Sequence, residues 1–271
     1  MKHLSFALSL LFMLATGAAS AQSGKVEVQY LGHSAFKFTS VSGKVIVIDP
    51  FLTQNSKGTE FTKNLDNLGK VDLVLVTHTH FDHLGDAAEI AKRNKARLFG
   101  ISALTRALVS VGAIPGELTA YGNKGGRTDP LGPGITIIMT HAEHSSELSW
   151  KNPATGNVDT HFGGEPVGFV IEFENGFKVY HGGDTGLFGD MKLIGEYYKP
   201  DLVLLPIGGF YTMNPQDGAV AVRDYLKPKY AVPMHYGTFP PLKGTPEEFE
   251  KALAGTPVKV LSMKPGEKLS F

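Results

Sequence analysis

Four side chains of the types that bind metal ions fall within six residues of this sequence, at His78, His80, Asp82 and His83. His78 and His80 follow the apolar run 71–77, and two residues apart on an extended chain they point to the same side. Asp82 and His83 come where the chain turns toward a helical segment, so they can be directed at a second point nearby. Two adjacent metal ions could share all four with better geometry than one ion. Burying three imidazoles and a carboxylate without a cation is costly, which favours a metal site over a structural role.

Three further segments carry the same types of side chain directly after an apolar run. They are 141–146 with His141 and His144, 181–186 with His181 and Asp184, and 234–237 with His235. Ligands gathered from several strand ends at one edge of a sheet are typical of the sites of α/β folds. We therefore expect these side chains to lie near the first cluster.

Composition limits which metal sites and partners are compatible with the chain. The 271 residues include no Cys, so disulfides, thiolate nucleophiles, Cys-ligated zinc and iron–sulfur clusters are excluded. Any metal must be held by His and carboxylates, a ligand set that suits Zn²⁺, Mn²⁺ or Fe. The 26 basic and 26 acidic side chains leave no net charge, and no Lys/Arg cluster flanks the motifs, so a nucleic-acid partner is not expected.

The elements that must position these residues form two similar series of strands followed by helices. Predicted strands span residues 25–32, 35–40, 44–49, 71–77, 135–141, 167–174, 177–181, 202–206 and 230–234, and predicted helices span 84–94 and 215–226, the latter capped by Asn214. This order predicts a layered α/β sandwich in which two mixed sheets face each other and helices cover the outside. A doubly wound sheet is the competing architecture, but no G-x-G-x-x-G follows the first strand.

The N-terminus has the three parts of a secretory signal peptide. Lys2 and His3 precede an apolar run over 4–15, and small residues lead to Ala19-Ser20-Ala21. We expect cleavage after Ala21, a mature domain over residues 22–271, and a periplasmic or secreted protein. An N-terminal membrane anchor is the alternative, but the apolar run is short for a span of about 20 residues. No later segment is apolar for long enough to span a bilayer, so no stable membrane insertion is expected after cleavage.

Several motifs resemble those of a known superfamily. HTHFDH, AEHSS, HGGDTG and MHYG, in that order, resemble the metallo-β-lactamase fold superfamily of metal-dependent hydrolases. YLGHSAF, VIDPF, GDTGLFGDMKLIGE, LPIGGFYTMNP and MHYGTFP are similar to the branch of metal-dependent hydrolases related to ascorbate-6-phosphate lactonase, over nearly the whole mature chain. The resemblance implies a four-layer αββα sandwich, of class α/β, with a two-metal site at one edge.

The resemblance also implies a role for each candidate residue. One metal would be held by His78, His80 and His144, a second by Asp82, His83 and His235, with Asp184 bridging both. His144 is favoured over His141 because the family places Ser directly after this ligand. The two divalent ions, expected to be Zn with Mn or Fe as alternatives, would share a hydroxide that attacks an ester, lactone, amide or phosphoester.

Three groups of residues complete the predicted site. Asp82, Asp184 and His33 are the candidate catalytic residues, with Asp82 orienting the nucleophile or accepting its proton. His33, Asp49 and His181 are candidates for hydrogen bonds to the ligands or for proton delivery. The segment 145–165, which contains the only Trp, Trp150, is expected to overhang the site.

The resemblance leaves the reaction open. The expected partner is a small-molecule substrate, and a homo-oligomer is compatible with the sequence. Alternatives to the general hydrolase are an exported enzyme that hydrolyses β-lactams and a metal-binding module without catalysis.

Overall fold

A computed structural model describes residues 24–271 of the chain. The predicted signal peptide, residues 1–21, lies outside the described residues. Within the described part, no helix is both long enough and apolar enough to cross a membrane.

Most strands belong to two sheets of seven strands each. The first sheet has the order β16-β1-β2-β3-β4-β5-β6 and contains β1 (Glu27–Gly32), β2 (Ala35–Thr39), β3 (Val45–Ile48), β4 (Leu73–Leu75), β5 (Arg97–Ile101), β6 (Thr119–Gly122) and β16 (Lys268–Ser270). The second has the order β15-β14-β13-β12-β11-β8-β7 and contains β7 (Arg127–Thr128), β8 (Thr136–His141), β11 (Val167–Glu172), β12 (Lys178–His181), β13 (Leu202–Pro206), β14 (Tyr230–Met234) and β15 (Lys259–Val260). A separate hairpin pairs β9 (Glu147–Lys151) with β10 (Val158–Phe162).

Each sheet is antiparallel in one half and parallel in the other. In the first sheet β3 to β6 run parallel, and in the second β12 to β15 do so. Parallel strands end at the same edge, so the segments that follow β4, β12 and β14 are placed where ligands can be brought together.

Short helices connect the strands. They are α1 (Glu60–Lys63), α2 (Phe81–Leu84), α3 (Ala87–Asn94), α4 (Ser102–Ser110), α5 (Met191–Leu193), α6 (Pro215–Val220) and α7 (Pro246–Ala252), with 3₁₀ turns at Leu65–Leu68 and Gly116–Leu118 and π-helical turns at Ile194–Tyr198 and Ala221–Leu226. The predicted cap of helix 215–226 is present, because the Asn214 side chain accepts hydrogen bonds from the backbone N–H groups of Gln216 and Asp217.

The helix predicted over 84–94 is interrupted at its start. α2 ends at Leu84 and α3 begins at Ala87, because Gly85 adopts φ +36° between them. A Cβ at Gly85 would lie 2.5 Å from the Pro50 carbonyl oxygen, so the chain turns here against the segment that follows β3. The residues that carry Asp82 and His83 therefore form a separate short helix.

Alternate residues of the second sheet face two different apolar layers. Phe169 and Ile171 join the core between the sheets, whereas Val170 joins a second core with buried residues of α5, α6 and α7. On the other side, α3 and α4 pack against strands β4 to β6. The layers therefore run helix, sheet, sheet, helix, and the predicted αββα sandwich is confirmed.

Candidate metal centre

The seven residues predicted to bind metal lie together at one edge of the sandwich. Two backbone hydrogen bonds join the sheets there, from Val167 N to Thr77 O at 3.1 Å and from His235 N to His33 O at 2.9 Å. His78, His80, Asp82 and His83 follow β4, His144 follows β8, Asp184 follows β12 and His235 follows β14. All are buried except His80 and His144, which are partly exposed.

Three imidazoles converge in one group. His78, His80 and His144 each offer a nitrogen within 4.8 Å of the other two. The Nε2 atom of His78 lies 3.0 Å from Nδ1 of His80. In His78 and His80 the other ring nitrogen is already engaged, because His78 Nδ1 contacts Thr77 Oγ1 at 3.0 Å and His80 Nε2 contacts Glu147 Oε2 at 3.0 Å. These contacts leave one nitrogen of His78 and one of His80 directed into the group.

A second group contains His33, Asp82, His83 and His235, again with ligand atoms within 4.8 Å of one another. Asp184 lies between the two groups. Its Oδ2 is 3.0 Å from His235 Nε2 and 3.6 Å from His144 Nε2, and its Oδ1 is 3.1 Å from His83 Nε2. A single carboxylate therefore contacts histidines of both groups.

Several buried polar atoms in this region have no hydrogen-bond partner within the described chain. They are His83 Nε2, Asp184 Oδ1, and both ring nitrogens of His235. The imidazole and carboxylate atoms are close, but not in hydrogen-bond geometry. Each unpaired buried group costs about 1–3 kcal/mol, which a coordinated cation would offset. The donor set of His nitrogens and carboxylate oxygens thus fits divalent metal ions.

The buried carboxylates at the metal centre favour a positive charge beside them. Burial opposes ionisation of Asp184, but the positive charges of His235 and His83 outweigh it and hold the pKa of Asp184 well below its usual value. Burial alone would lower the pKa of His83, yet the carboxylates of Asp184 and Asp49 raise it well above its usual value. The carboxylates thus attract a proton to His83, and they would attract a metal ion in the same way.

The pKa of His78 is lowered, whereas that of His83 is raised. Its pKa lies well below the usual value because the ring is fully buried and because His83 is positively charged beside it. His78 is therefore neutral at neutral pH, which is the form of imidazole that binds metals.

Asp49 holds His83 in a fixed orientation. The buried Oδ2 of Asp49 accepts hydrogen bonds from His83 Nδ1 at 2.8 Å and from Thr77 Oγ1 at 2.7 Å, while Oδ1 accepts one from Thr77 N at 2.8 Å. Because Nδ1 of His83 is the donor to Asp49, Nε2 is free to face Asp184. The position predicted for Asp49, next to a ligand, agrees with this geometry.

The two histidines predicted together with Asp49, His33 and His181, make different hydrogen bonds. His33 Nε2 lies 3.1 Å from Asp82 Oδ2, and His33 Nδ1 lies 2.9 Å from Thr238 Oγ1, so His33 contacts the site directly. His181 instead donates from Nε2 to Ser34 O at 2.9 Å and accepts at Nδ1 from Gly183 N at 3.1 Å. Both nitrogens of His181 form hydrogen bonds with backbone groups, one of them the N–H of Gly183 next to Asp184. Neither nitrogen is free to deliver a proton.

His141 lies outside both groups. Its ring contacts Lys124 Nζ at 3.1 Å and Glu143 Oε2 at 3.2 Å, and 39% of the side chain is exposed. The structure therefore brings His144, and not His141, to His78 and His80.

The segment 145–165 reaches the site only through its first residues. Ser145 lines the cavity beside the metal centre, and Glu147 contacts His80. Trp150 instead packs partly buried against the apolar core. Glu147 is not predicted as a site residue, since nothing in its local sequence indicates a contact with a residue 67 positions earlier.

A cavity of about 510 Å³ gives access to the centre. It is lined by His80, Phe81, Asp82, His144, Ser145, Asp184, Tyr211, His235, Phe239 and Pro241. Five of the seven predicted ligands therefore face a space that a small molecule can enter.

Comparison with known proteins agrees with this architecture. A family model described as a beta-lactamase superfamily domain matches residues 44–236, a range that includes all seven predicted ligands. A metal-dependent hydrolase of Cupriavidus necator is 55% identical over 256 residues, which cover 94% of this chain and 89% of the relative. Another, from Thermodesulfovibrio yellowstonii, is 41% identical over 276 residues that cover 100% of both chains.

Among solved structures, a metallo hydrolase from Ignicoccus hospitalis named Igni18 superposes with a TM-score of 0.76. It is 39% identical and covers 92% of this chain and 99% of its own. The narrower resemblance to ascorbate-6-phosphate lactonase stays a prediction. The chain belongs to the β-lactamase superfamily and, within it, to the UPF0173 family of metal-dependent hydrolases.

Proposed function

We propose that the metal centre is dinuclear. One ion would be held by His78, His80 and His144, and the second by Asp82, His83 and His235. Asp184, which contacts histidines of both groups, would bridge the two ions. The ions are proposed to be zinc, with manganese or iron as alternatives, because all the donors are nitrogen or oxygen.

The proposed reaction is hydrolysis of an ester, lactone, amide or phosphoester bond in a small molecule. When bound, two divalent ions would lower the pKa of a coordinated water and polarise the group under attack. The protein's own part is to admit the substrate through the cavity and to place ionised carboxylates beside it.

Asp82 and His33 are proposed to act as a pair. Burial alone would raise the pKa of Asp82, but the neighbouring His235 ring, whose Nε2 lies 3.6 Å from Asp82 Oδ2, and a hydrogen bond from His33 hold it below its usual range, so Asp82 is ionised at neutral pH. Burial and the charge of His235 lower the pKa of His33 to about 4, which leaves its ring neutral. A neutral His33 can donate from Nε2 to Asp82 Oδ2 while Nδ1 accepts from Thr238. Asp82 is thereby held in position to orient a water or to accept its proton.

The observation that carries this proposal is the convergence of seven ligand-type side chains, four of whose buried atoms lack hydrogen-bond partners in the described chain. The test is metal analysis of the purified protein, followed by activity on esters, lactones, amides including nitrocefin, and phosphodiesters. We expect two metal equivalents per chain, activity that a chelator removes, and loss of activity in His80→Ala.

Two outcomes would contradict the proposal. A single tightly bound equivalent would refute the dinuclear centre. A metal-replete protein without activity on any member of the panel, in which His80→Ala changes only metal content, would favour a metal-binding module.

Export is a separate proposal, which the sequence of residues 1–21 supports. N-terminal sequencing of the protein from the periplasm or medium should then begin at Gln22. A protein that retains Met1 or the apolar run would contradict cleavage.

A further inference from the structure

A strained turn stands beside the metal centre, in the segment between β13 and α6. Tyr211 N donates a hydrogen bond to Gly209 O at 2.8 Å, so residues 209–211 form a γ-turn. The central residue, Phe210, has φ +62°, a region that a bulky side chain rarely adopts. Strain of this kind persists where the surrounding structure imposes it, and it is frequent at binding sites.

The turn places two aromatic rings in solvent. Phe210 is 79% exposed and Tyr211 is 56% exposed, and their ring centroids are 4.6 Å apart in an edge-to-face arrangement. Neither ring is needed to fill the apolar core. An exposed aromatic pair in a conformation that disfavours it requires another explanation, and a binding surface provides one.

The turn is also fixed relative to the proposed ligands. Gly209 N donates to Met213 O at 2.9 Å, and Met213 is buried. Met213 N in turn donates to the backbone oxygen of Thr185 at 3.1 Å, and Thr185 directly follows Asp184. The aromatic pair is thus held at a set distance from the metal centre.

Tyr211 shares the wall of the metal-centre cavity with two other aromatic rings. Phe81 is 62% exposed and packs edge-on against Phe239, with ring centroids 5.8 Å apart, and Pro241 completes the apolar part of the wall. None of the ten lining residues, all within residues 24–271, is a Lys or an Arg. A substrate group beside the scissile bond would therefore meet aromatic surface and neither Lys nor Arg.

Phe210, on the far side of the turn, lines a second open groove of about 720 Å³. Tyr211 lines the cavity and Phe210 lines the groove, so the turn lies between the two spaces, and Pro241 lines both. A substrate larger than the cavity would extend past Tyr211 onto Phe210, into a groove whose charged lining residues, Lys243 and Glu248, are of opposite sign.

We propose that the enzyme selects an uncharged substrate with an aromatic or similarly large apolar group next to the bond that is cleaved. Tyr211, Phe81 and Phe239 would contact that group. A phosphorylated substrate is disfavoured because the cavity wall offers no Lys or Arg for the phosphate. The inference rests on the proposed function, since it assumes that the scissile bond lies at the metal centre.

Calorimetric titration of the zinc-loaded protein with three hydroxamates tests this selectivity without requiring turnover. The probes are acetohydroxamate, phenylacetohydroxamate and phosphonoacetohydroxamate, which share a metal-binding group and differ in the attached substituent. We expect the phenyl compound to bind about tenfold more tightly than the acetyl compound, and the phosphono compound to bind no more tightly.

In the variants Tyr211→Ala and Phe81→Ala, the ratio of the affinity for phenylacetohydroxamate to that for acetohydroxamate should fall to about half or less. The affinity for acetohydroxamate itself should change little. Tyr121→Ala is the matched control, since Tyr121 is also 56% exposed but lies beside Arg106 and lines neither space. The ratio of kcat/KM for a phenylacetate ester over an acetate ester should fall in the same two variants.

Equal affinities of the phenyl and acetyl probes, or a preference that both variants retain, would overturn the proposed selectivity and leave the hydrolase proposal standing. Tighter binding of the phosphono probe would overturn it in favour of a phosphorylated substrate. If no hydroxamate binds a protein shown to contain zinc, the proposed catalytic centre fails, and the inference fails with it.

Discussion

Asp49→Asn tests whether a buried carboxylate sets the metal affinity through His83. The substitution keeps the size of the side chain but replaces one acceptor oxygen by an NH₂ group. In the native chain Asp49 accepts three hydrogen bonds, from His83 Nδ1, Thr77 Oγ1 and Thr77 N. Asn has only one acceptor oxygen, so at least one of these three hydrogen bonds must be lost or reversed.

Both orientations of the amide are unfavourable. If the NH₂ faces Thr77 N, two donors meet and the buried N–H loses its partner, at a cost of about 1–3 kcal/mol of unfolding free energy. If the NH₂ faces His83, the ring must take the other tautomer to accept at Nδ1. Nε2 then carries the proton and cannot bind a metal ion. The loss of the carboxylate also removes negative charge that favours a cation at His83.

We expect Asp49→Asn to weaken metal binding by about 10- to 100-fold, which corresponds to about 1.4–2.7 kcal/mol. The assay is competition with a chelator of known affinity, together with urea unfolding of the metal-free protein. Asp72→Asn is the matched control, because Asp72 also accepts a backbone hydrogen bond, from Val45 N at 2.9 Å, but lies at the start of the strand rather than at the metal centre. Wild-type metal affinity in a folded Asp49→Asn protein would refute the orienting role.

Three further predictions follow from contacts at the site. His144→Ala should lose about one of the two proposed metal equivalents in elemental analysis, whereas His141→Ala should keep both, and equal losses would contradict the assignment. Glu147→Gln should weaken metal binding several-fold in chelator competition, because Glu147 orients His80, whereas Glu143→Gln should not. In the metal-free protein, His83 has a raised pKa, because the neighbouring carboxylates outweigh the opposing effect of burial. Its contribution to stability is therefore complete below about pH 6.5 and is lost as pH rises through the raised folded pKa, so urea midpoints should fall as pH rises above about 6.5. A flat profile would contradict this.

The layers of the fold could be predicted because they depend on local patterns. Apolar runs with β-branched residues, such as those that became β13 and β14, mark buried strands wherever they occur. The break at Gly85 could not be predicted, since it depends on contact with Pro50, which is distant in the sequence. A glycine allows a helix to end at this position, and the packing of the chain onto Pro50, which leaves no room for a side chain at Gly85, makes it end there.

The choice between His141 and His144 shows a similar limit within the site. His141 is the last residue of the predicted strand, His144 comes three residues later, and their types are identical, so only the Ser after His144 in the family motif favoured His144. The loop between them is held by contacts to a distant segment, where Glu143 N donates to Thr185 Oγ1 at 3.0 Å and Gly186 N donates to Glu143 O at 2.9 Å. These long-range hydrogen bonds, and not the residues themselves, bring His144 to Asp184.

The hydrogen bonds around the histidines also determine which nitrogen each ring offers. His78 is held at Nδ1 by Thr77, His83 at Nδ1 by Asp49, and His80 at Nε2 by Glu147. The remaining nitrogens point inward, so the rings need little reorientation to bind metal ions. A centre organised in this way binds with a smaller loss of side-chain entropy than one assembled from free rings. The opposing cost is borne by the metal-free protein, which keeps unpaired polar atoms of His83, Asp184 and His235 buried at the edge of its core. Metal binding should therefore raise the stability of the whole domain as well as enable its chemistry.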